Sequence, residues 1–286
     1  MTSAWLVIAS GNPIEHVVAH KVFAIGSFVF TNHMLMQLIA AAIMVVAFTW
    51  TARDYPLVPR GLRLLVESAL EMVREGVARP VLKQHTDAYI PFVWTVFFFV
   101  LLNNLIGMFP LNPVTGLVTG QWELFGTATS NLSVTGALAA MVFVVTHVSG
   151  IVVEIRHQRH HGRPLALAAP VGFVLYWYHL VPPVPGIVGI LLFPMLFVLE
   201  LFGTVIKHCV LAIRLFANIM AGHILLAVLV LLIPVIGGVA QGGLAVTVIG
   251  GCVALSCLEL LVAFLQAYIF TFLSCMFIGM AVSPEH

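Results

Sequence analysis

Charged side chains are scarce in this sequence. Only 8% of its 286 residues are Asp, Glu, Lys or Arg, while 61% are hydrophobic. Soluble domains carry about 25% charged residues, so this composition excludes an ordinary water-soluble fold. The mean hydropathy is +1.10. The formal net charge of +1 gives no reason to expect nucleic-acid binding. The composition therefore predicts a polytopic membrane protein.

Cysteine is also sparse, and motifs for nucleotide chemistry are missing. The four cysteines lie in apolar runs without a C-x-x-C pair, so we interpret them as buried thiols rather than disulfides; they are Cys209, Cys252, Cys257 and Cys275. No P-loop or GxGxxG pattern is present, so nucleotide chemistry is not expected on this chain. We also expect no catalytic residues and no bound cofactor. The start, MTSAWLVIASGNP, lacks the basic region of a cleaved signal peptide.

Apolar segments, by contrast, are long and numerous. Three have the roughly 20 residues of a membrane-spanning helix, and they lie at about 34–50, 91–109 and 132–153. Two much longer apolar runs follow at about 186–232 and 244–282, separated by GGVAQGG (237–243). We expect an all-α fold with five membrane-embedded runs.

Positive charge is unevenly distributed among the connecting segments. Lys and Arg are frequent in 53–83 and 156–163 and absent from 110–130 and 232–245. Because inner-side loops carry the excess of Lys and Arg, the first two segments are predicted inside and the last two outside. The N-terminus is then outside and the C-terminus inside.

Two connecting segments have a pattern of their own. Residues 60–79 (RGLRLLVESALEMVREGVAR) place apolar residues at helical spacing, which predicts an amphipathic helix on the inner membrane surface. A helix packed on a soluble partner would use the same face, so that alternative stays open. Residues 165–185 are apolar but rich in proline, and we expect an interfacial or re-entrant connection there instead of one regular helix.

The two long runs need a special arrangement. About 45 residues of helix measure nearly 70 Å, whereas the hydrocarbon layer is about 30 Å thick. Because clusters of turn residues are lacking within either run, we expect two long, strongly tilted helices that form a hairpin. Helices that are so strongly tilted in the membrane imply a partner with an extended apolar face.

A polar stripe follows the first long helix. Between residues 165 and 282 the formal charges are Glu200, Lys207, Arg214 and Glu259. The first three, with Asn218, fall within about 40° of one another on a helix. A hairpin turn centred near residue 240 would place Arg214 opposite Gln266, and His223 close to Glu259.

This pattern favours a proton path in two halves. His223 and Glu259 are predicted to line an outer half-channel and Glu200 an inner one, with Arg214 as a fixed positive barrier between them. Arg214 does not lose its proton, and a charge in the bilayer is costly and usually functional. The alternatives are a structural Arg214 satisfied by Gln266 and backbone carbonyls, or a stripe that serves only hydrogen bonding between helices.

Three segments of the chain resemble the a subunit of the rotary F-type ATP synthase. ELFGTVIKHCVLAIRLFANIMAGH (200–223) is similar to the family's arginine motif, LELLVAFLQAYIF (258–270) to its last helix, and NLIGMFP (104–110) to an earlier N-x-x-G-x-x-P. Two features depart from common patterns. His223 and Glu259 are exchanged relative to enterobacterial members, and Lys207-His208 stands where many members have Lys-Pro.

The resemblance implies roles for these residues. Arg214 matches the stator arginine that faces the c-ring, Asn218 and Gln266 match polar residues near it, Glu200 matches the inner half-channel, and His223 with Glu259 the outer one. It implies a non-catalytic, proton-translocating subunit whose partners are the c-ring, b-type peripheral stalk subunits and membrane lipid, with no nucleic acid. Its expected location is the bacterial inner membrane, with the mitochondrial inner membrane as the alternative.

The expected organisation has six segments. They are 1–33, an outer N-terminal segment; 34–52, the first transmembrane helix; 53–90, an inner-surface amphipathic helix; 91–156, a two-helix hairpin; 157–185, an inner loop and interfacial segment; and 186–286, the tilted helical hairpin with the ion path.

A secondary ion-coupled transporter is the alternative function, although we find no repeated halves. His208 is interpreted as a packing residue. The loop at 156–163, with His157, His160 and His161, is interpreted as facing lipid headgroups rather than a metal ion.

Overall fold

The computed structural model describes six stretches of the chain: residues 21–25, 28–53, 60–108, 131–181, 187–232 and 240–282. These stretches belong to two compact units. The first unit comprises Met1–Val66, Thr95–Thr135 and Ile213–Ile269, and the second comprises Glu67–Trp94, Gly136–Ala212 and Phe270–His286.

The described chain begins with a small β-hairpin. Strand β1 (Lys21–Ile25) pairs antiparallel with β2 (Phe28–Thr31), so that Ala24 lies opposite Val29. These strands were not predicted from the sequence, where the region is expected only to be an outer segment. Helix α1 (Asn32–Arg53) follows directly and forms the first apolar span.

A continuous helical stretch runs from Leu62 to Met108. It consists of α2 (Leu62–Glu71), a π-helical segment (Met72–Ala78), α3 (Arg79–Leu82), a 3₁₀ turn (Lys83–His85) and α4 (Thr86–Met108). The indole N–H of Trp94 donates a 3.0 Å hydrogen bond to the carbonyl of Leu70, next to the π-helical segment. The regular amphipathic helix is thus shorter than the 60–79 predicted from sequence.

Helix α5 (Leu132–His160) extends seven residues beyond the predicted end at 153, so that Arg156 and Arg159 belong to its last turns. It ends where Gly162 adopts φ of +80°, a backbone conformation that glycine accepts without strain. The amide of Gly162 donates to the carbonyl of Arg159 at 3.0 Å, which closes the helix end.

The prediction of an irregular connection over 165–185 is wrong for most of that segment. Residues Leu165–His179 form helix α6, with Pro170 inside it. The cluster of prolines at 182–185 comes after the helix and lies outside the described residues. Two glycines allow α6 to pack closely on α5: Gly150 lies against the ring of Tyr176, and Gly172 lies against Ile155.

Each of the two long apolar runs forms one helix. Helix α7 spans Ile187–Leu232 and keeps Pro194 inside it, and helix α8 spans Ala240–Val282. The predicted turn at 237–243 therefore needs correction, because residues 240–243 are already helical; residues 233–239 lie outside the described part. Glycine is common in membrane helices, so Gly242 and Gly243 do not have to end one.

Five helical segments of the described chain are long and apolar enough to cross a membrane: Asn32–Arg53, Leu62–Met108, Leu132–His160, Leu191–Leu226 and Val246–Val282. Apart from β1 and β2, the regular structure of the described residues is helical. This confirms an all-α polytopic membrane protein. Several helix bounds differ from the expected ones, and the tilt of α7 and α8 stays a prediction.

Candidate functional site

Arg214 lies in the first unit, on a helix with few other polar groups. Its side chain is exposed, whereas Leu211 and Leu215, on either side of it, are fully buried. Among the residues that the structure describes, no hydrogen bond or ion pair engages the guanidinium. The helix therefore presents a permanent positive charge that no described residue of the chain neutralises.

A pocket of about 120 Å³ lies between α7 and α8 in the same unit. Asn218 and Gly222 line it from α7, and Glu259 and Val262 line it from α8. These pairs fit two antiparallel helices in the register predicted from the sequence. The pairing of position 214 with position 266, which this register implies, stays a prediction.

Glu259 reaches the backbone of α7 because residue 222 has no side chain. A Cβ atom added to Gly222 would collide with Oε1 of Glu259 and lie 2.9 Å from its Cδ. The residue is half-buried in this position. Gly222 therefore decides where the carboxyl group lies, a role that was not predicted from the sequence.

Gln266 is buried, with 4% of its surface exposed, and its Nε2 atom has no hydrogen-bond partner in the described part of the chain. No hydrogen bond joins it to Arg214, so the alternative in which Gln266 satisfies the arginine is not what the structure shows. A buried amide donor without a partner is costly. Gln266 is therefore a buried polar position close to the predicted proton path.

His223 belongs to α7, next to Gly222, but its side chain lies outside the described residues. Its proximity to the carboxyl group of Glu259 stays a prediction.

Glu200 and Lys207 lie on the part of α7 that belongs to the second unit. The Nζ atom of Lys207 is 3.7 Å from Oε1 of Glu200, and the two side chains are 47% and 36% exposed. An exposed pair at this distance contributes at most about 1 kcal/mol to folding stability. Both groups are therefore available to solvent or to a partner.

His208, also in the second unit, faces the protein interior. It is 4% exposed, and its ring contacts those of Phe143 and Phe277 at centroid distances of 5.2 and 4.6 Å. Its Nδ1 lies 2.8 Å from the carbonyl of Thr204. These contacts agree with the interpretation of His208 as a packing residue.

The basic loop has a carboxylate neighbour that was not predicted from the sequence. Oε1 of Glu154 lies 4.0 Å from Nδ1 of His157, and its Oε2 lies 3.7 Å from Nδ1 of His179. Within the described ranges, no group of three His, Cys, Asp or Glu residues has an arrangement suited to a metal ion. His157, His160 and His161 are exposed at the end of α5 and in the turn after it.

Comparison with known proteins assigns the family. The family model for the ATP synthase A chain matches residues 34–279. The chain belongs to the ATP synthase A chain family. It is 38% identical to ATP synthase subunit a of Myxococcus xanthus (strain DK1622) over 260 residues, which cover 90% of this chain and 74% of that protein. It is 31% identical to ATP synthase subunit a of Maricaulis maris (strain MCS10) over 287 residues, which cover 98% of this chain and all of that protein.

A third relative supports the same assignment: ATP synthase subunit a of Chloroherpeton thalassium (strain ATCC 35110 / GB-78) is 35% identical over 262 residues, which cover 89% of this chain and 67% of that protein. Membership in the ATP synthase A chain family, together with the five apolar helices, supports a multi-pass membrane protein and a proton-translocating subunit of the membrane sector.

Asn104 is a further polar residue of the first unit, and in the sequence it stands out only as part of the family motif NLIGMFP. It is fully buried in α4, and its Nδ2 donates to the carbonyl of Ala263 in α8 at 3.4 Å. Its Oδ1 has no partner among the described residues. Spacing along the chain does not reveal which helix Asn104 contacts.

Proposed function

We propose that this chain is the stator subunit that carries protons past a rotating c-ring in the membrane sector of an F-type ATP synthase. Two offset half-channels, separated by Arg214, would couple proton flow to ring rotation and ATP synthesis. The observation that carries this proposal is the exposed guanidinium of Arg214, which has no partner among the described residues of its own chain.

The energetic argument starts from the cost of that charge. An arginine at the bilayer centre costs at least about 3 kcal/mol, and a helix does not keep such a group turned outward without compensation. A carboxylate within about 4–6 Å would supply the compensation, because the neighbouring cation favours the ionised form of an acid. The ring partner is therefore expected to bring carboxyl groups past Arg214, one at a time.

The outer half-channel is proposed to include the pocket between α7 and α8. Asn218 and Glu259 line that pocket, and His223 follows Gly222 on the same helix. Both a carboxyl group and an imidazole exchange protons at accessible pH when their surroundings shift them. Gln266 would contribute its unpartnered amide beside Arg214.

The inner half-channel is proposed to begin at Glu200. Its partly exposed carboxylate belongs to α7 about four helical turns before Arg214, and Lys207 stands between the two in the sequence. A ring carboxylic acid that reaches Arg214 releases its proton to one half-channel, passes as the anion, and takes up a proton from the other. The arginine keeps its own proton throughout, so protons do not pass directly between the half-channels.

In this proposal the subunit catalyses no covalent reaction. Its partners are the c-ring along the Arg214 face of α7, b-type peripheral stalk subunits, and lipid. The proposed location is the bacterial inner membrane, because the three relatives are bacterial proteins.

The test uses the assembled ATP synthase in inverted membrane vesicles. Arg214→Ala is expected to abolish ATP-driven proton pumping, while Arg156→Ala, which removes an exposed cation at the end of α5, leaves pumping at the wild-type level. Assembly is checked by copurification of the c-ring with each variant. Wild-type pumping by an assembled Arg214→Ala complex would overturn the proposal.

A further inference from the structure

Helix α6, in the second unit, has an apolar face that the described residues leave uncovered. Gly172 and Tyr176 are buried on the side that packs against α5. Leu167, Val174 and Tyr178 fall within about 40° of one another on the helix and point to the opposite side. These three side chains, which we call the outer face of α6, are 58–64% exposed.

The length of α6 restricts where this face lies. Its 15 residues measure about 22 Å, whereas the hydrocarbon layer is about 30 Å thick, so α6 does not cross the bilayer. An exposed apolar face on a membrane protein contacts lipid or a partner. Since α6 follows directly after the turn that ends α5, the outer face borders the leaflet on the side of that turn.

The turn before α6 is positively charged. Arg159 and Arg163 are both exposed, and we call residues 159–163 the cationic turn. Between residues 124 and 199 the sequence holds three arginines and a single acidic residue, Glu154. The turn therefore needs an anion from outside this part of the chain unless Glu154 neutralises it.

Glu154 is engaged elsewhere. Its side chain is only 12% exposed, and Oε2 lies 3.7 Å from Nδ1 of His179. Its Oε1 accepts a 2.9 Å hydrogen bond from Nε2 of Gln158. The acidic group thus faces the protein, while the cationic turn faces outward.

A hydrogen bond fixes the position of Arg163. Gly162, with φ of +80°, reverses the chain, and Nη1 of Arg163 then donates to Oε1 of Gln158 at 2.8 Å. Gln158 is itself 9% exposed, so the guanidinium is held against an ordered group. This bond uses one of the five N–H donors of an arginine, and the planar guanidinium matches the geometry of a phosphate group.

We propose that the cationic turn and the outer face of α6 together bind an anionic phospholipid. Arg163 donates hydrogen bonds to the phosphate, Arg159 adds a second positive charge, and the acyl chains pack against the outer face. Leu167 follows Arg163 by four residues, so their Cα atoms are at most about 14 Å apart. A phospholipid extends over half of the bilayer, about 20 Å with its headgroup, and therefore reaches both parts.

Charge favours lipid over a protein segment as the occupant. The surface combines exposed apolar side chains with exposed arginines and presents no acidic group of residues 124–199, since Glu154 faces inward. An anionic phospholipid carries the complementary charge and the apolar chains in one molecule. Clusters of basic residues beside a membrane surface bind such lipids for this reason.

The test uses the intact ATP synthase in vesicles of phosphatidylcholine that contain a trace of phosphatidylglycerol with a photoreactive acyl chain. After illumination, mass spectrometry measures the fraction of the α6 peptide that carries lipid. We expect wild-type labelling of α6 to fall when unlabelled phosphatidylglycerol is added and to stay unchanged with the same excess of phosphatidylcholine. Arg163→Gln should lower labelling about five-fold, which corresponds to about 1 kcal/mol per basic residue. Arg163→Lys keeps the charge and should retain more labelling than Arg163→Gln.

The matched control is Arg53→Gln, which removes an exposed cation at the end of α1 and should leave labelling of α6 unchanged. Equal competition by the two lipids, or unchanged labelling in Arg163→Gln, overturns the proposal. So does a high-resolution map of the complex in which a protein helix covers Leu167 and Val174. If Arg163→Gln does not assemble, the competition in the wild type decides the question. Proton pumping does not enter these measurements, so their outcome is independent of the proposed function.

Discussion

At the scale of single residues, the structure separates the polar groups of α7 by the direction they face. Arg214 and Lys207 are exposed, and Glu200 is partly exposed, whereas His208, one residue from Lys207, is buried among aromatic rings. A spacing of seven residues returns a helix to nearly the same face, so the stripe itself follows from the sequence. The inward position of His208 does not follow from this spacing, because its ring partners, Phe143 and Phe277, come from other helices.

Gly222 is the residue at which a small change should have the largest local effect. Gly222→Ala introduces a Cβ that collides with Oε1 of Glu259 and pushes the carboxyl group away from α7. Since the displaced atoms are the end of a flexible side chain, we expect little loss of stability but a several-fold decrease in ATP-driven proton pumping by inverted vesicles. Gly203→Ala is the control on the same helix, because nothing lies within 4 Å of its added Cβ. Equal pumping by the two variants would contradict the proposed role of Glu259's position.

Glu200 and Lys207 should differ in effect although they form an ion pair. Lys207→Ala is expected to cost less than about 1 kcal/mol of folding stability, because the pair is exposed. Glu200→Ala should cost as little in stability but strongly reduce pumping, and Glu200→Asp should restore part of it. The measurement compares thermal stability of the purified complexes with pumping rates. Full pumping by Glu200→Ala would remove this residue from the inner half-channel.

At the scale of elements, close packing of α5 and α6 depends on two glycines. Gly150→Val would place a branched side chain against the ring of Tyr176 and the carbonyl of Ala281, which lies 3.0 Å from the position of Cβ. Overpacking of this kind typically costs about 1–3 kcal/mol. We expect a lower thermal unfolding temperature and faster proteolysis of the detergent-purified subunit complex. Gly136→Val, at an open position of the same helix, should show neither.

The π-helical segment offers a second test at this scale. Trp94→Phe keeps an aromatic ring but removes the N–H that donates to the carbonyl of Leu70. A hydrogen bond of this kind contributes about 1 kcal/mol. Backbone amides of residues 72–78 should then exchange with deuterium faster than in the wild type, while those of α5 exchange at the same rate. Unchanged exchange at 72–78 would show that the indole does not support the segment.

At the scale of the whole molecule, the described chain exposes large apolar side chains along α7 and α8. In the first unit these include Ile213, Leu225 and Leu261, on the same two helices as the exposed Arg214. Extended apolar surface on a membrane protein faces lipid or a partner. The charge makes a purely lipid-facing surface unfavourable and favours a partner with acidic groups.

The predicted topology belongs to this scale, and the two ends of α5 test it. In a variant with the four native cysteines replaced, His160→Cys should react with a membrane-impermeant thiol reagent only from the inner side, because it follows the basic end of α5. Ser133→Cys, exposed at the other end, should react only from the outer side. Labelling of both from one side would mean that α5 does not cross the membrane.

The sequence by itself determined the membrane class and the helical architecture, and it supplied the residues proposed for the proton path. Scarce charge, long apolar runs and a seven-residue spacing of polar groups are local properties, and they do not depend on which helix contacts which. The register of α7 against α8 could also be predicted by assuming one turn between them, although α8 begins within the residues predicted to form that turn.

Only the tertiary structure decided which atoms meet. The contact of Glu259 with Gly222, the partner of Asn104, and the shared surroundings of His147 and His208 all depend on packing between segments far apart in the chain. The helix over Leu165–His179 was likewise known only from the structure. Proline-rich composition argued against a helix at 165–185, but the last three prolines fall after residue 179 and leave the preceding turns intact. The periodicity within one helix does not indicate which residues of another helix it contacts, so such contacts are known only from the three-dimensional packing.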